Sequence, residues 1–483
     1  MTEPTNVPVS AAEVYPGEKE PELGRSLKAR HVSMIAIGGI IGAGLFVGSS
    51  TSIASAGPAI ILSYGLAGII VLIIMRMLSE MAVAIPGVQS FPEFSRIGLG
   101  HWAGFLSGWL YWYFWVIVVA IEAIAGAVIM QTWIDLPVWL IGVVLTGLLT
   151  AVNLMSARSY GEFEFWFSSL KVVGIVVFIF VAGAYVLGFT SGTGPTFGNL
   201  TAHGGFAPNG GTAVLAATTS VIFALVGAEI ATIAAAESAE PARTVARMTG
   251  TVALRILIFY ILSILLIVSV TPWTSVVPGT SPFATALEVM GIPGAATIMN
   301  IIVLIAVLSC LNSGLYVTSR VLFTLAARGD APQALVAVNR RQVPVRSILV
   351  ASSFSYVALA ASVLSPELVF SFLVNASGAL MLIVYLMIAA SQIRLRRIFE
   401  NVCPERITIR TWFFPWLSYA GVLGIGVILL AMAITPRVSS EFWSSVGITL
   451  FFLVLFLVFR RGRAEPLDPL AAPKISSNEG SST

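Results

Sequence analysis

The chain of 483 residues is 57% hydrophobic and only 10% charged, where soluble domains carry about a quarter charged residues, so a water-soluble globular protein is excluded and the bilayer is its solvent. Its 26 basic and 23 acidic residues leave a formal charge of +3 scattered over short loops rather than gathered into a stripe, and no nucleic-acid partner is expected. Two cysteines, Cys310 in an apolar run and Cys403 in a polar loop, are too few and too differently placed for a disulfide framework.

Residues 1–26 are polar, with Glu3, Glu13, Glu18, Glu20 and Glu22, and lack the basic start and cleavage pattern of a secretory signal; they read as a cytoplasmic tail. From Leu27 onward apolar runs of about 20 residues recur, the length a helix needs to cross a bilayer. About twelve can be placed, centred near Gly42, Val71, Val116, Val144, Val176, Val226, Ser263, Ile305, Val357, Met381, Leu423 and Phe452. The runs are apolar all round instead of alternating, which predicts an all-α polytopic membrane protein and not a barrel. With the N-terminus inside, Lys28, Arg96, Arg158, Arg243, Arg328, Arg340, Arg394 and Arg460 all fall on the cytoplasmic side, and among loop residues only Arg437 falls outside. Both termini, including a polar tail at 464–483, are therefore expected in the cytoplasm.

The first span holds Gly38-Gly39-Ile40-Ile41-Gly42-Ala43-Gly44, four glycines where a regular helix would be weakened. They serve either close packing through small residues or a break in the helix. A second irregularity lies in the sixth span, Phe223-Ala224-Leu225-Val226-Gly227-Ala228-Glu229. Breaks at matching positions of two halves point to a transporter of inverted repeats with its site at mid-bilayer. If the first span unwinds near Gly42, the N–H groups of Ala43, Gly44 and Leu45 open a new half-helix that can hold a carboxylate. Carbonyls freed at Ile40, Phe223 and Val226 would attract an amine. Gly42, Gly44 and Gly48 imitate a dinucleotide-binding pattern only loosely, because no strand precedes them.

An ionisable group at mid-bilayer costs about 2.5–3.5 kcal/mol on insertion scales, so each one needs a partner or a task. Lys171, in span five, has no acidic residue one turn away in its own span; it either snorkels to the cytoplasmic edge or carries a proton. Glu122, deep in span three, reads as a protonated interhelical donor or as a substrate contact. Glu229 follows the second break and reads as a substrate contact or as a cap, since a new half-helix N-terminus favours a carboxylate whatever its job. Arg76 and Glu80, four apart in span two, suggest a local ion pair. Ser309, Cys310, Asn312 and Ser313 cluster in span eight, as interhelical hydrogen bonding requires. His31, His101 and His203 stand apart from one another, so no metal site is expected.

Gly39 to Phe46, Ser79-Glu80-Met81-Ala82, Gly161-Glu162-Phe163-Glu164-Phe165-Trp166, Ala235-Ala236-Glu237-Ser238 and Cys310-Leu311-Asn312-Ser313 through Arg328-Gly329-Asp330-Ala331-Pro332 carry a resemblance over nearly the whole chain. It resembles bacterial amino acid permeases of the amino acid-polyamine-organocation superfamily, most of all the gamma-aminobutyrate permeases, particularly around Gly108-Trp109-Leu110-Tyr111-Trp112. The resemblance implies inverted five-helix repeats at 27–190 and 212–398, with helices one and six broken, and peripheral helices at 411–463. It places the substrate against Ile40, Ile41, Gly42, Ala43 and Gly44, with the amine near Phe223 and Val226, and makes Phe223 an aromatic gate. Lys171 matches a lysine that stands where other members hold sodium, which implies a proton as coupling ion and no cofactor. Many members carry Thr or Ser where this chain has Ala43, so a hydroxyl for the carboxylate is missing. The expected function is a proton-coupled symporter of a small amino acid in the bacterial cytoplasmic membrane, with gamma-aminobutyrate favoured. A permease for another neutral or aromatic amino acid, an exchanger and a non-transporting sensor remain open.

Overall fold

Lipid offers backbone groups no hydrogen bonds, so a chain this apolar has to satisfy them internally, and helices do so segment by segment. The computed structural model describes residues 41–85, 88, 90–155, 157–190, 197–227, 252–339 and 343–459, those at 157–165 as backbone only, and among them there are helices and no strand.

The first span contributes α1 (Ala43–Phe46) and α2 (Gly48–Ala56), and a turn at Gly57–Ala59 leads into α3 (Ile60–Ala84). A short amphipathic α4 (Phe91–Leu99) meets α5 (His101–Met130) at Gly100, whose φ of 101° favours glycine. Next come α6 (Val138–Met155), α7 (Ala157–Val186) and α8 (Gly210–Leu225). A π-helical stretch, Ile256–Leu262, runs into α9 (Ser263–Val270). In α10 (Pro282–Val289) the Ser281 hydroxyl accepts from the Ala284 N–H, an N-cap followed by proline at the first helical position. The long α11 (Ala295–Ala327) precedes α12 (Val345–Ala361) and α13 (Pro366–Val402), the last capped by Ser365 in the same Ser-Pro manner. Finally α14 (Trp416–Ile434) and α15 (Ser439–Phe459) close the described chain.

Among the described residues nine stretches are long and apolar enough to cross a membrane, and α8 and α12 are shorter apolar helices. The described residues do not by themselves complete the expected twelve. How the apolar surface is distributed identifies the solvent. In α15 only 17% of the apolar window is buried within the protein, and Leu364, Phe180 and Val357 stand exposed elsewhere; such surface is stable against lipid and not against water. By contrast 83% of the α5 window is buried, with α4, α6, α11, α12 and α13 packed around it. Side chains of α5 therefore line the interior on several sides. A second packing centre is α8, which meets α2, α3, α13 and α14. Its approach to α13 depends on Gly378, where an added Cβ would lie 1.8 Å from the Thr219 carbonyl oxygen.

Candidate functional site

At both sequence irregularities the described backbone leaves helical geometry. Gly42 is extended (φ −131°, ψ −151°) ahead of α1, and Val47 (φ −128°, ψ −46°) divides α1 from α2. In the sixth span α8 stops at Leu225, Val226 is extended (φ −62°, ψ 147°), and Gly227 has φ 110°, a region open to glycine. Ile40 and Glu229 lie outside the described residues.

The two breaks touch. A Cβ on Gly44 would stand 2.7 Å from Ala224 Cα and 3.2 Å from Phe223 Cε1, so glycine is what lets α1 meet the end of α8. On the other side, a Cβ on Gly42 would lie 2.7 Å from both Cys310 Sγ and Glu122 Oε1. The glycines thus serve packing and interruption at once, since a broken helix can be held at mid-bilayer only if neighbours close tightly on it.

Glu122, 1% exposed, fills the position expected for a substrate carboxylate. Its Oε1 and Oε2 accept from the Ala43 N–H at 3.0 and 3.1 Å. The Cys310 thiol hydrogen-bonds the same carboxylate, and Lys171 is close enough to act on its charge. Lys171 is fully buried and does not snorkel; its Nζ donates to Ser309 Oγ of α11 at 2.9 Å. The span-eight cluster bonds between helices as its sequence indicates, with Asn153 Nδ2 of α6 donating to Asn312 Oδ1 at 2.7 Å.

Glu122 and Cys310 line a cavity of about 20 Å³, room for roughly one water molecule. The breaks contribute Gly42, Gly44, Phe223, Ala224 and Val226, and α11 contributes Cys310. From α5 come Phe114, Trp115, Val118 and Glu122. Ile41 is buried in the core beside it. Phe223 faces Phe114 with ring centroids 6.3 Å apart. Phe114, Trp115 and Val118 escaped the sequence reading, which took Cys310 only as an interhelical hydrogen-bonding group and Ala224 only as part of the irregular segment. Trp115 and Val118 lie seven and four residues before Glu122, on its helix face, and that periodicity was the available signal. A larger cavity, about 410 Å³, is an open crevice along α13 flanked by Arg394 and Arg397, remote from the breaks in sequence and without a carboxylate in its lining.

The expected Arg76–Glu80 pair is not formed. Glu80 is buried and accepts from Arg396 Nη1 and Gln392 Nε2, each at 2.8 Å, and from the Thr411 N–H. Half-buried Arg76 instead donates to the Arg410 carbonyl at 2.9 Å and lies over the Trp412 ring. Glu80 turns inward where α13 brings a buried guanidinium, and that contact outcompetes a neighbour at the helix edge. Nor is His101 solitary: its Nε2 lies 2.7 Å from Asp330 Oδ1, Arg96 also pairs with Asp330, and Arg328 Nη1 reaches Glu93 at 2.6 Å.

A helical bundle with lipid-facing flanks, whose first and sixth spans leave helical geometry side by side at a buried polar site, is a multi-pass membrane protein of transporter architecture. The chain shares its fold with a solved manganese transporter from Eremococcus coleocola, at a TM-score of 0.52 and 11% identity, over 89% of this chain and 92% of that one. Residues 31–463 match the amino acid permease family, and the chain belongs to that family. It is 48% identical to the gamma-aminobutyric acid permease of Bacillus subtilis, over 91% of this chain and 94% of that protein. A probable GABA permease of Pseudomonas aeruginosa is 42% identical, covering 94% and 96%. The aromatic amino acid transport protein of Corynebacterium glutamicum is 37% identical, covering 90% and 94%. The family is one of transporters, and a permease of this family takes an amino acid as its small-molecule substrate.

Proposed function

We propose that this permease is a proton-coupled symporter importing a short omega-amino acid, gamma-aminobutyrate foremost, by alternating access across a bacterial cytoplasmic membrane. Twelve spans and cytoplasmic termini belong to this proposal. The observation that carries it is the seat of Glu122 on the Ala43 N–H. An internal carboxylate there stands in for the ligand's own. An arriving zwitterion displaces it, placing its carboxylate on Ala43 and leaving Glu122 free to face the ammonium, so each charge exchanges one partner for another and neither is left bare in a dry site. A cavity of about 20 Å³ cannot hold an amino acid, so the helices around it must part to admit one. Phe223 and Phe114 close over the ligand. Lys171, held by Ser309 and within reach of the Glu122 charge, carries the coupled proton at Nζ. The names of the relatives at 42–48% identity support the choice of substrate.

Purified protein in liposomes, given labelled gamma-aminobutyrate and an inward proton gradient, tests the proposal. Accumulation that collapses with a protonophore is expected. Exchange without accumulation would replace symport by antiport, and preferred uptake of phenylalanine would overturn the substrate.

A further inference from the structure

The wall formed by α5 holds a hydrogen-bond donor that this mechanism leaves unused. Trp115 is 3% exposed and lines the same cavity as Glu122, and its indole Nε1–H has no hydrogen-bond partner. A buried donor left unpaired costs about 1–3 kcal/mol, and native interiors keep few of them. Neighbouring tryptophans on the helix show what the position adds. Trp109 Nε1 donates to the Asp330 carbonyl at 3.0 Å. Trp112 Nε1 is also unpaired, but that ring packs among Val116, Leu322 and Leu325, away from the cavity. Only the indole at 115 combines a free N–H with a place in the cavity wall.

Its ring is fixed in place. Tyr111 and Phe114 meet it edge-on, with centroids 6.1 and 5.8 Å away. A Cβ at Gly314 of α11 would stand 3.8 Å from Trp115 Cε3, so that edge of the ring lies against α11. A ligand carboxylate has two oxygens, and the Ala43 N–H engages one. Glu122, which occupies that N–H, and Trp115 line the same cavity, so a carboxylate taking the Glu122 seat enters the space that the Trp115 ring borders. We propose that Trp115 is a specificity-determining residue whose indole N–H donates to the second carboxylate oxygen of the transported amino acid. This rests on the proposed substrate class and adds the donor that rewards a carboxylate over a bare amine. A site built to bond a polar group rejects ligands lacking it, because its own donor is then stranded.

Two measurements on full-length protein in detergent decide the matter. In protein labelled with [15N]tryptophan, the Nε1 resonance missing from Trp115→Phe should move when gamma-aminobutyrate is added, while the one missing from Trp112→Phe stays. Calorimetry should show Trp115→Phe binding gamma-aminobutyrate about tenfold more weakly or worse, as expected for a bond to a charged group, and Trp112→Phe binding it as the wild type does. Weaker binding without a resonance shift would reduce Trp115 to ring packing, and unchanged affinity would leave its N–H to water; either result overturns the proposal. Should the wild type bind a different amino acid, the substrate assignment falls alone, and the same two measurements with that amino acid still judge Trp115.

Discussion

Glu122 holds one backbone N–H with both carboxylate oxygens, and a group so placed controls whether that N–H is available to anything else. Glu122→Gln keeps an acceptor for Ala43 but loses the charge that would face an ammonium. Gamma-aminobutyrate binding should weaken about tenfold or more, the worth of a charge-assisted hydrogen bond, and alanine binding should weaken less, because its amine stays near the carbonyls at the two breaks. Competition against one labelled ligand measures both; equal losses would make Glu122 purely structural. At Lys171 the substitution Lys171→Gln keeps a donor for Ser309 and removes the amine proposed to carry the proton. Proton-driven accumulation should vanish while counterflow of labelled substrate persists, and undiminished accumulation would remove Lys171 from the coupling. Gly44 is less clean as a probe, since a Cβ there would press on Ala224 as well as on the ligand's path.

At the scale of elements, the contacts hardest to foresee join residues far apart in the chain. Glycines 42 and 44 and Gly227 announced the breaks locally, because glycine inside an apolar run is a visible cost. The partner of Glu80 was not visible, because a four-residue spacing suggests Arg76 while the packing of α13 supplies Arg396. Asp330 shows the same limit, gathering Arg96 and His101 from the start of α5 and the helix before it. Its side chain is 2% exposed, so Asp330→Asn would leave Arg96 partly buried with a weaker partner. A loss of about 1–3 kcal/mol is expected, read as a lower melting temperature of the solubilised protein. Gly378→Ala should destabilise in a different way. The new methyl would meet the Thr219 carbonyl, a backbone atom that cannot rotate aside, so α8 and α13 must separate at a cost of about 1–3 kcal/mol. An unchanged melting temperature for Gly378→Ala would mean that the two helices can part without penalty.

For the molecule as a whole, composition was enough to name the solvent, and the outward apolar faces of α7, α12 and α15 bear it out residue by residue. Hydropathy could not say how the spans pack, and so it missed that α5 carries most of one wall of the site. That wall bears on energetics at the same scale. A zwitterion brings no net charge, and if Glu122 only changes partners during binding, the sole charge moved in the proposed transport cycle is one proton. One charge crossing the membrane is worth about 2.3 kcal/mol per 100 mV, which by itself supports roughly a 50-fold concentration ratio. Liposomes held at equal pH, with a potassium diffusion potential of 100 mV negative inside, should therefore accumulate gamma-aminobutyrate toward that ratio, and reversing the potential should drive it out. Two protons per substrate would square the ratio. An exchanger of neutral amino acids would show no response to voltage at all, and that flat result would end the case for symport while leaving the fold, the breaks and the Glu122 seat as they stand.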